Sequence, residues 1–403
     1  MKGSAGRPLR CVVAPPAPAP YREPLFRALH DRSDLELRVI YQSGRQPSWD
    51  VAAEWFAAEH AYPARHLPSW QRGRPGRTPI IWPRGLERAL RSADPDCVVA
   101  SEYGPASLRA LWWCRRHGRA YVVFTECTPE IDAMLPAAQL RLHRWVARHA
   151  DGVVAVSSAA RARLLRFGVP AERITVALQS ADLAAVRAAS AGRDARRGGG
   201  PVVVLSVGRM VPDKNFSVLI EAFARAGVGA AEARLEIAGG GFLAPELGRL
   251  AERLAVAVRF HGHVAPAELP RLYAAADLYA LVSTYEPFGV SLREAAAAGL
   301  PIICSRAAGA AGEVAIDGRN AVLVDPGNVE EVSAALTRLI GDGRLRRAMG
   351  AESRAIDTAT DGHDVDAFAA AVLAAARRRG WPYRPRSTGR TSRRIRSTRA
   401  GRR

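Results

Sequence analysis

The sequence predicts an α/β protein built as two parallel-sheet domains that face each other across a cleft. Short, almost wholly apolar runs alternate with helical patterns along most of the chain, and that alternation means parallel strands covered by helices on both faces. At 403 residues the chain exceeds one ordinary core. The alternation breaks once near the middle, at 184–200, where Ala, Arg and Ser give way to three glycines without an apolar period.

In the first half, strands are expected at 10–16, 35–42, 97–101, 121–126, 153–157 and 174–179, with a helix at 21–31 and further helices after the later strands. The stretch 43–83, rich in Pro, Gly and Trp, reads as irregular. In the second half, strands are expected at 202–207, 235–238, 258–261, 278–282, 302–305 and 321–324, with helices at 215–226 and 329–340. The expected organisation is a first domain over 1–183, a linker over 184–200 and a second domain over 201–363. A helix at 364–383 is expected to pack back toward the first domain, and a basic, unstructured tail to follow over 384–403.

Composition narrows the class. No apolar run is long enough to span a bilayer, and prolines 15, 16, 18 and 20 occupy the place of a secretory apolar region, so the expected location is the cytoplasm. The five cysteines, Cys11, Cys97, Cys114, Cys127 and Cys304, have neither metal-ligand nor redox spacing, and four of them sit in apolar stretches and read as small core residues of a reducing compartment. No metal or cofactor is expected. The net charge is +19, and the nine arginines after Tyr383 leave +10 for the rest, a balance that favours anionic partners. The tail has no aromatic residues between its bases, which speaks against specific nucleic-acid recognition. Lys2 and Lys214 are the only lysines.

In open α/β sheets, ligands bind at the carboxyl ends of the strands, so loops after strands are where chemistry belongs. Two such loops stand out. Gly208 permits a sharp turn after strand 202–207, and Arg209 and Lys214 place two cations on one strand-to-helix loop, as a diphosphate requires. Asn215 is the expected cap of the next helix. After strand 278–282, Pro287 and Gly289 force a tight loop that sets Glu286 just ahead of a helix and Glu294 in its second turn. Carboxylates there suit sugar hydroxyls, and the backbone amides of Gly289, Val290 and Ser291 suit an anion.

With Gly239–Gly241, Phe260-x-Gly-x-Val264, Ala276-Asp277, Ser283 and Ala295-x-Ala-x-Gly-x-Pro301, these loops make the second domain resemble the retaining glycosyltransferases of family 4. That resemblance implies the GT-B fold, two Rossmann-like domains facing across a cleft. It implies a sugar transferred from a nucleotide-diphosphate donor to an acceptor hydroxyl with retention of configuration. Arg209 and Lys214 would hold the donor diphosphate and Glu286 the sugar hydroxyls, these three being the catalytic set. Glu294 would bind the ribose. Phe288, Gly289 and Val290 would approach sugar and phosphates through backbone, with Gly208 and Gly240 beside the donor and His263 and Val264 lining the base site.

The first domain resembles the family more loosely, at 21–26 and 149–157. Prolines stand where many relatives have a glycine pair, and Gln179-Ser180-Ala181-Asp182 stands where an Asn usually precedes the linker aspartate. Glu126, ending a strand, is the acceptor-side candidate, and His143 lies downstream. The stretch 138–149 reads as a basic helix covering the sheet, its other reading being peripheral contact with an anionic membrane at the inner face. Trp112 and Trp113 read as core. Trp49, Trp55, Trp70 and Trp82 read as packing of the irregular stretch, or an acceptor surface. The rival readings are a non-catalytic GT-B scaffold and another GT-B enzyme such as an epimerase. A pyridoxal-type phosphorylase is disfavoured because its Schiff-base lysine would have to be Lys214.

Overall fold

The computed structural model describes residues 7–45, 56, 60–73, 79–192 and 200–381. The tail and the tryptophans Trp49 and Trp55 lie outside the described residues.

The first sheet is parallel throughout. It joins β1 (Leu9–Ala14), β2 (Leu35–Tyr41), β3 (Ala64–His66), β6 (Cys97–Ser101), β7 (Ala120–Thr125), β8 (Gly152–Ala155) and β9 (Ile174–Val176) in the order β3-β2-β1-β6-β7-β8-β9. Strands β6, β7 and β8 are buried along their whole length, which is why their sequences are continuous apolar runs. The second sheet, also parallel, joins β10 (Val202–Val207), β11 (Ala233–Ala238), β12 (Val258–Gly262), β13 (Leu278–Leu281), β14 (Ile302–Ser305) and β15 (Ala321–Val324) in the order β12-β11-β10-β13-β14-β15. In both sheets the order reverses beside the first strand, and the crevice this opens lies at the carboxyl ends.

Alternate residues of β1 enter different cores. Val12 joins Leu86, Leu90, Leu111 and Val146 on one face, while Cys11 and Val13 join Leu25, Phe26 and Leu29 on the other. That second core continues through Phe368 and Val372 and on into Leu205, Tyr279 and Leu292 of the second domain. Helix His363–Arg378 makes this continuity by crossing back to lie on β6, β7, β8 and β9. Gly152 lets it come close, since a Cβ there would stand 3.3 Å from that of Ala375.

Four expectations are corrected. The segment read as a linker opens with helix Ala184–Ser190, which buries Val186 and packs on helices Leu269–Ala275 and Val290–Ala297. Residues 193–199 lie outside the described residues. The stretch read as irregular contains β3 and an antiparallel hairpin of β4 (Ser69–Arg72) and β5 (Ile80–Pro83), in which Trp70 pairs with Trp82 and both stay half exposed. Trp112 is 69% exposed, whereas Trp113 is buried. Successive helical residues point about 100° apart, so only one of the pair can face the sheet. Asn215 precedes helix Phe216–Arg225 with φ 56° and makes no side-chain cap. Its Nδ2 donates instead to the carbonyls of Val282 (3.1 Å) and Pro326 (2.7 Å).

The cysteines occur as free thiols, four buried and Cys127 half-buried. Among the described residues, no helix is long and apolar enough to cross a membrane.

Candidate active site

The loops after β10, β11, β12 and β13 converge, held mainly by backbone. Gly208 N donates to Ala238 O (2.9 Å), Met210 N to Gly240 O (2.7 Å) and Gly239 N to Gly262 O (2.8 Å). Gly239 has φ 136°, and a Cβ there would fall 1.9 Å from Gly208 O, so only glycine permits this contact. Gly240 faces open space, with nothing near the position a Cβ would take. The exposed His263 and half-buried Val264 follow β12 at the same end of the sheet.

Lys214 closes a short 3-10 turn, Pro212–Lys214. Its aliphatic stem lies over Gly208, whose Cβ would be 3.5 Å away. Its ammonium pairs with the Glu286 carboxylate, which also accepts a long bond from Ser283 Oγ (3.4 Å). The sequence reading assigned these two side chains to different parts of a donor, and the structure brings them into direct contact. Glu286 and Phe288 are held by a loop sequence reasoning did not single out. Gly309 N donates to Glu286 O (2.9 Å) and Ala310 N to Phe288 O (3.0 Å). The Phe288 ring is buried in the core. Gly289 stands at φ 95° ahead of helix Val290–Ala297, close against Leu292 and Glu286.

That helix faces two ways. Glu294 accepts from Tyr273 OH (2.6 Å), and burial raises its pKa against that bond. Its neighbour Arg293 points into the domain junction, buried, where Nη1 donates to Gln179 O (2.8 Å) and lies 3.6 Å from Asp364.

The first domain presents its own charges. Arg22, buried, forms an ion pair with Glu126, and Gln179 Nε2 donates to the same carboxylate oxygen (2.7 Å). Beneath Glu126 lies Glu102, absent from the sequence-based candidates. Its carboxylate accepts from Glu126 N (2.7 Å), Thr125 Oγ1 (2.9 Å) and Cys127 Sγ (3.1 Å). Burial and the charge of Glu126 push its pKa up, and its backbone is left-handed, φ 59°. The available signal was an acidic residue directly after a wholly buried strand. His143 sits between the Tyr103 ring, 4.4 Å between centroids, and Arg163, 3.2 Å away. Burial and Arg163 lower its pKa to about 4, so it is neutral at physiological pH.

Two tyrosines join the halves. Burial raises the Tyr21 hydroxyl to about 12, and it senses Arg22 and Glu126 of its own domain together with Arg209 and Glu286 of the other. Tyr285 is raised too, by burial and then by Cys127, Glu102 and Glu126 across the cleft. Arg209 and Glu286 of the second domain thus lie within electrostatic reach of Tyr21.

Two Rossmann-like domains, with charged strand-end loops turned toward one cleft, define a GT-B protein. The chain belongs to the glycosyltransferases of group 1: residues 193–356 match the family described as "Glycosyl transferases group 1", and residues 17–178 match "Glycosyl transferase 4-like domain". It is 32% identical over 283 residues to the GDP-mannose-dependent alpha-(1-6)-phosphatidylinositol monomannoside mannosyltransferase of Mycolicibacterium smegmatis, covering 67% of this chain and 73% of that one. It is 35% identical over 172 residues to mannosylfructose-phosphate synthase of Agrobacterium fabrum, covering 39% of this chain but only 38% of that relative. In fold it is similar to Anabaena HepE solved with UDP and glucose, with TM-score 0.70 and 22% identity over 89% of this chain and 96% of that one.

Proposed function

We propose that the chain transfers a sugar from a nucleoside-diphosphate donor to an acceptor hydroxyl with retention of configuration. The observation that carries this reading is the Lys214–Glu286 pair, set at the strand ends of the second domain and turned toward the cleft. A lysine is a compact charge on a flexible stem, so a diphosphate can draw it from Glu286. That exchange leaves the carboxylate to accept hydrogen bonds from sugar hydroxyls. Arg209 supports the diphosphate, Glu294 binds the ribose, and the amides of Gly289 and Val290 face the phosphates. Gly208 and Gly240 let the donor approach backbone, and His263 and Val264 line the base. As the sugar–phosphate bond breaks, negative charge grows on the leaving diphosphate, and preorganised cations stabilise it there. No metal is needed for that step.

The acceptor enters from the first domain, against Tyr21 and Glu126. Glu126 is a positioning residue for the acceptor hydroxyl, and the leaving phosphate removes the proton on the same face. HepE was solved with UDP and the mycobacterial relative uses GDP-mannose, so both bases are candidates. The outer face of helix Ala137–His149 carries Arg141, Arg144, Arg148 and a 40%-exposed Trp145, which suits peripheral contact with an anionic membrane and a lipid-linked acceptor.

A melting-temperature panel with UDP, GDP, ADP and dTDP tests the donor site. One nucleotide should stabilise the wild type and not Lys214→Ala. With the sugar donor so identified, Lys214→Ala should lower kcat about 10²–10³-fold, and NMR of the product should show the anomeric configuration of the donor. Unchanged turnover in the variant would remove Lys214 from the mechanism.

A further inference from the structure

A second polar cluster lies beside the cleft and has no part in the reading above. Glu23, at the start of helix Glu23–His30, accepts from Tyr62 OH (2.8 Å) and Tyr41 OH (3.2 Å), and its carboxylate lies 3.2 Å from His60 Nδ1. The two hydroxyls are 2.8 Å apart. The rings of Tyr41, His60, Tyr62 and His66 stack with centroids 4.9–5.4 Å apart. His60 Nε2 and His66 Nε2 face each other at 3.3 Å.

We propose that His60 and His66 bind one transition-metal dication of the Zn²⁺ type. Two imidazole nitrogens on a tetrahedral zinc, each about 2.0–2.1 Å from it, stand roughly 3.3–3.4 Å apart, the separation already present. A carboxylate can only accept, so His60 donates from Nδ1 to Glu23 and turns the lone pair of Nε2 toward His66. Carboxylate to imidazole to metal is the usual supporting arrangement of a histidine ligand. A ligand imidazole must be neutral, so the site weakens at acid pH. In the metal-free chain His66 donates its single ring proton from Nε2 to His60 Nε2. Metal binding moves that proton, through solvent, to His66 Nδ1, so that both Nε2 lone pairs face the metal. Among the described residues, no group of three or more His, Cys, Asp and Glu could hold a metal. The site is therefore a two-imidazole one, with water completing the shell on the exposed side of His66.

Its place in the fold is specific. His66 ends β3, Glu23 follows Arg22 directly, and Arg22 pairs with Glu126 in the cleft. Bound metal braces the wall on which the acceptor side is built.

The test uses the full chain stripped with a chelator and titrated with Zn²⁺ by calorimetry and with Co²⁺ by visible absorption. The wild type should bind one equivalent, more weakly at pH 5 than at pH 7.5. His66→Gln and His60→Gln should each abolish that binding, Glu23→Gln should weaken it about 10–100-fold, and His149→Gln should leave it unchanged. The exposure of His66 keeps its variant folded, which circular dichroism checks. A wild type that binds no equivalent, or that binds no better than His66→Gln, overturns the proposal.

Discussion

Two buried charges carry more of the molecule than their neighbours. Arg22 and Arg163 are both enclosed, and each has an acidic partner, Glu126 and Asp132. An unpaired charge at either place would be costly, so both acids hold the fold of the first domain. His143, against Arg163, is the titrating member of this layer. Its pKa near 4 lies below the ordinary 6.5, so between those values the unfolded chain takes up a proton that the native chain refuses. Stability therefore falls as pH drops through that window and levels off below it, by roughly 3 kcal/mol for this group. Denaturant unfolding at pH 7 and pH 4 should show the wild type losing about that much more than His143→Gln. Equal losses would mean that His143 carries no such shift.

At the scale of elements, the loops decide the site, and glycines decide the loops. Gly239 and Gly289 occupy positions where a Cβ would strike neighbouring atoms, and both hold site loops against the rest of the second domain. Asn215 does comparable work by another route. Its left-handed backbone ends the Lys214 turn, and its amide ties that turn to Val282 and Pro326. Asn215→Ala loses both bonds and puts alanine at φ 56°, a left-handed backbone that asparagine tolerates better, a cost of about 2–4 kcal/mol. Asn215→Gly loses the bonds alone and should be about 1 kcal/mol less damaging. Chemical denaturation ranks the two, and alanine proving the milder change would contradict the strain argument.

On the scale of the whole molecule, the cleft is spanned by specific contacts. Glu313 of the second domain accepts from Ser158 N (2.6 Å), the first amide of helix Ser158–Arg166, while Arg293 grips Gln179 and Asp364 at the junction. The first contact lies at the rim and the second in the shared core, so they should fail differently. Glu313→Ala should open the cleft, seen as a larger radius of gyration in solution scattering, with a stability loss under about 1.5 kcal/mol. Arg293→Ala leaves Asp364 without its buried partner and should lower the melting temperature clearly. An unchanged radius for Glu313→Ala would exclude a latch.

Most strands of the two parallel sheets, and the loops that carry Arg209, Lys214, Glu286 and Glu294, were legible in the sequence alone. Parallel strands buried on both faces write themselves as apolar runs, and a strand-end loop is local in the chain. The sequence missed β3 and the β4–β5 hairpin, which are short and half exposed, so burial leaves little imprint on them. It also missed Glu102, Arg22 and the His60–His66 pair. The meeting of Lys214 with Glu286, that of Arg22 with Glu126 across 104 residues, and the reach of charges from both domains to Tyr21 arise in the folded chain alone. Each of these depends on the register of distant strands and on the closure of two domains over one continuous core. Side-chain partners are set by that packing, and no periodicity along the chain records it.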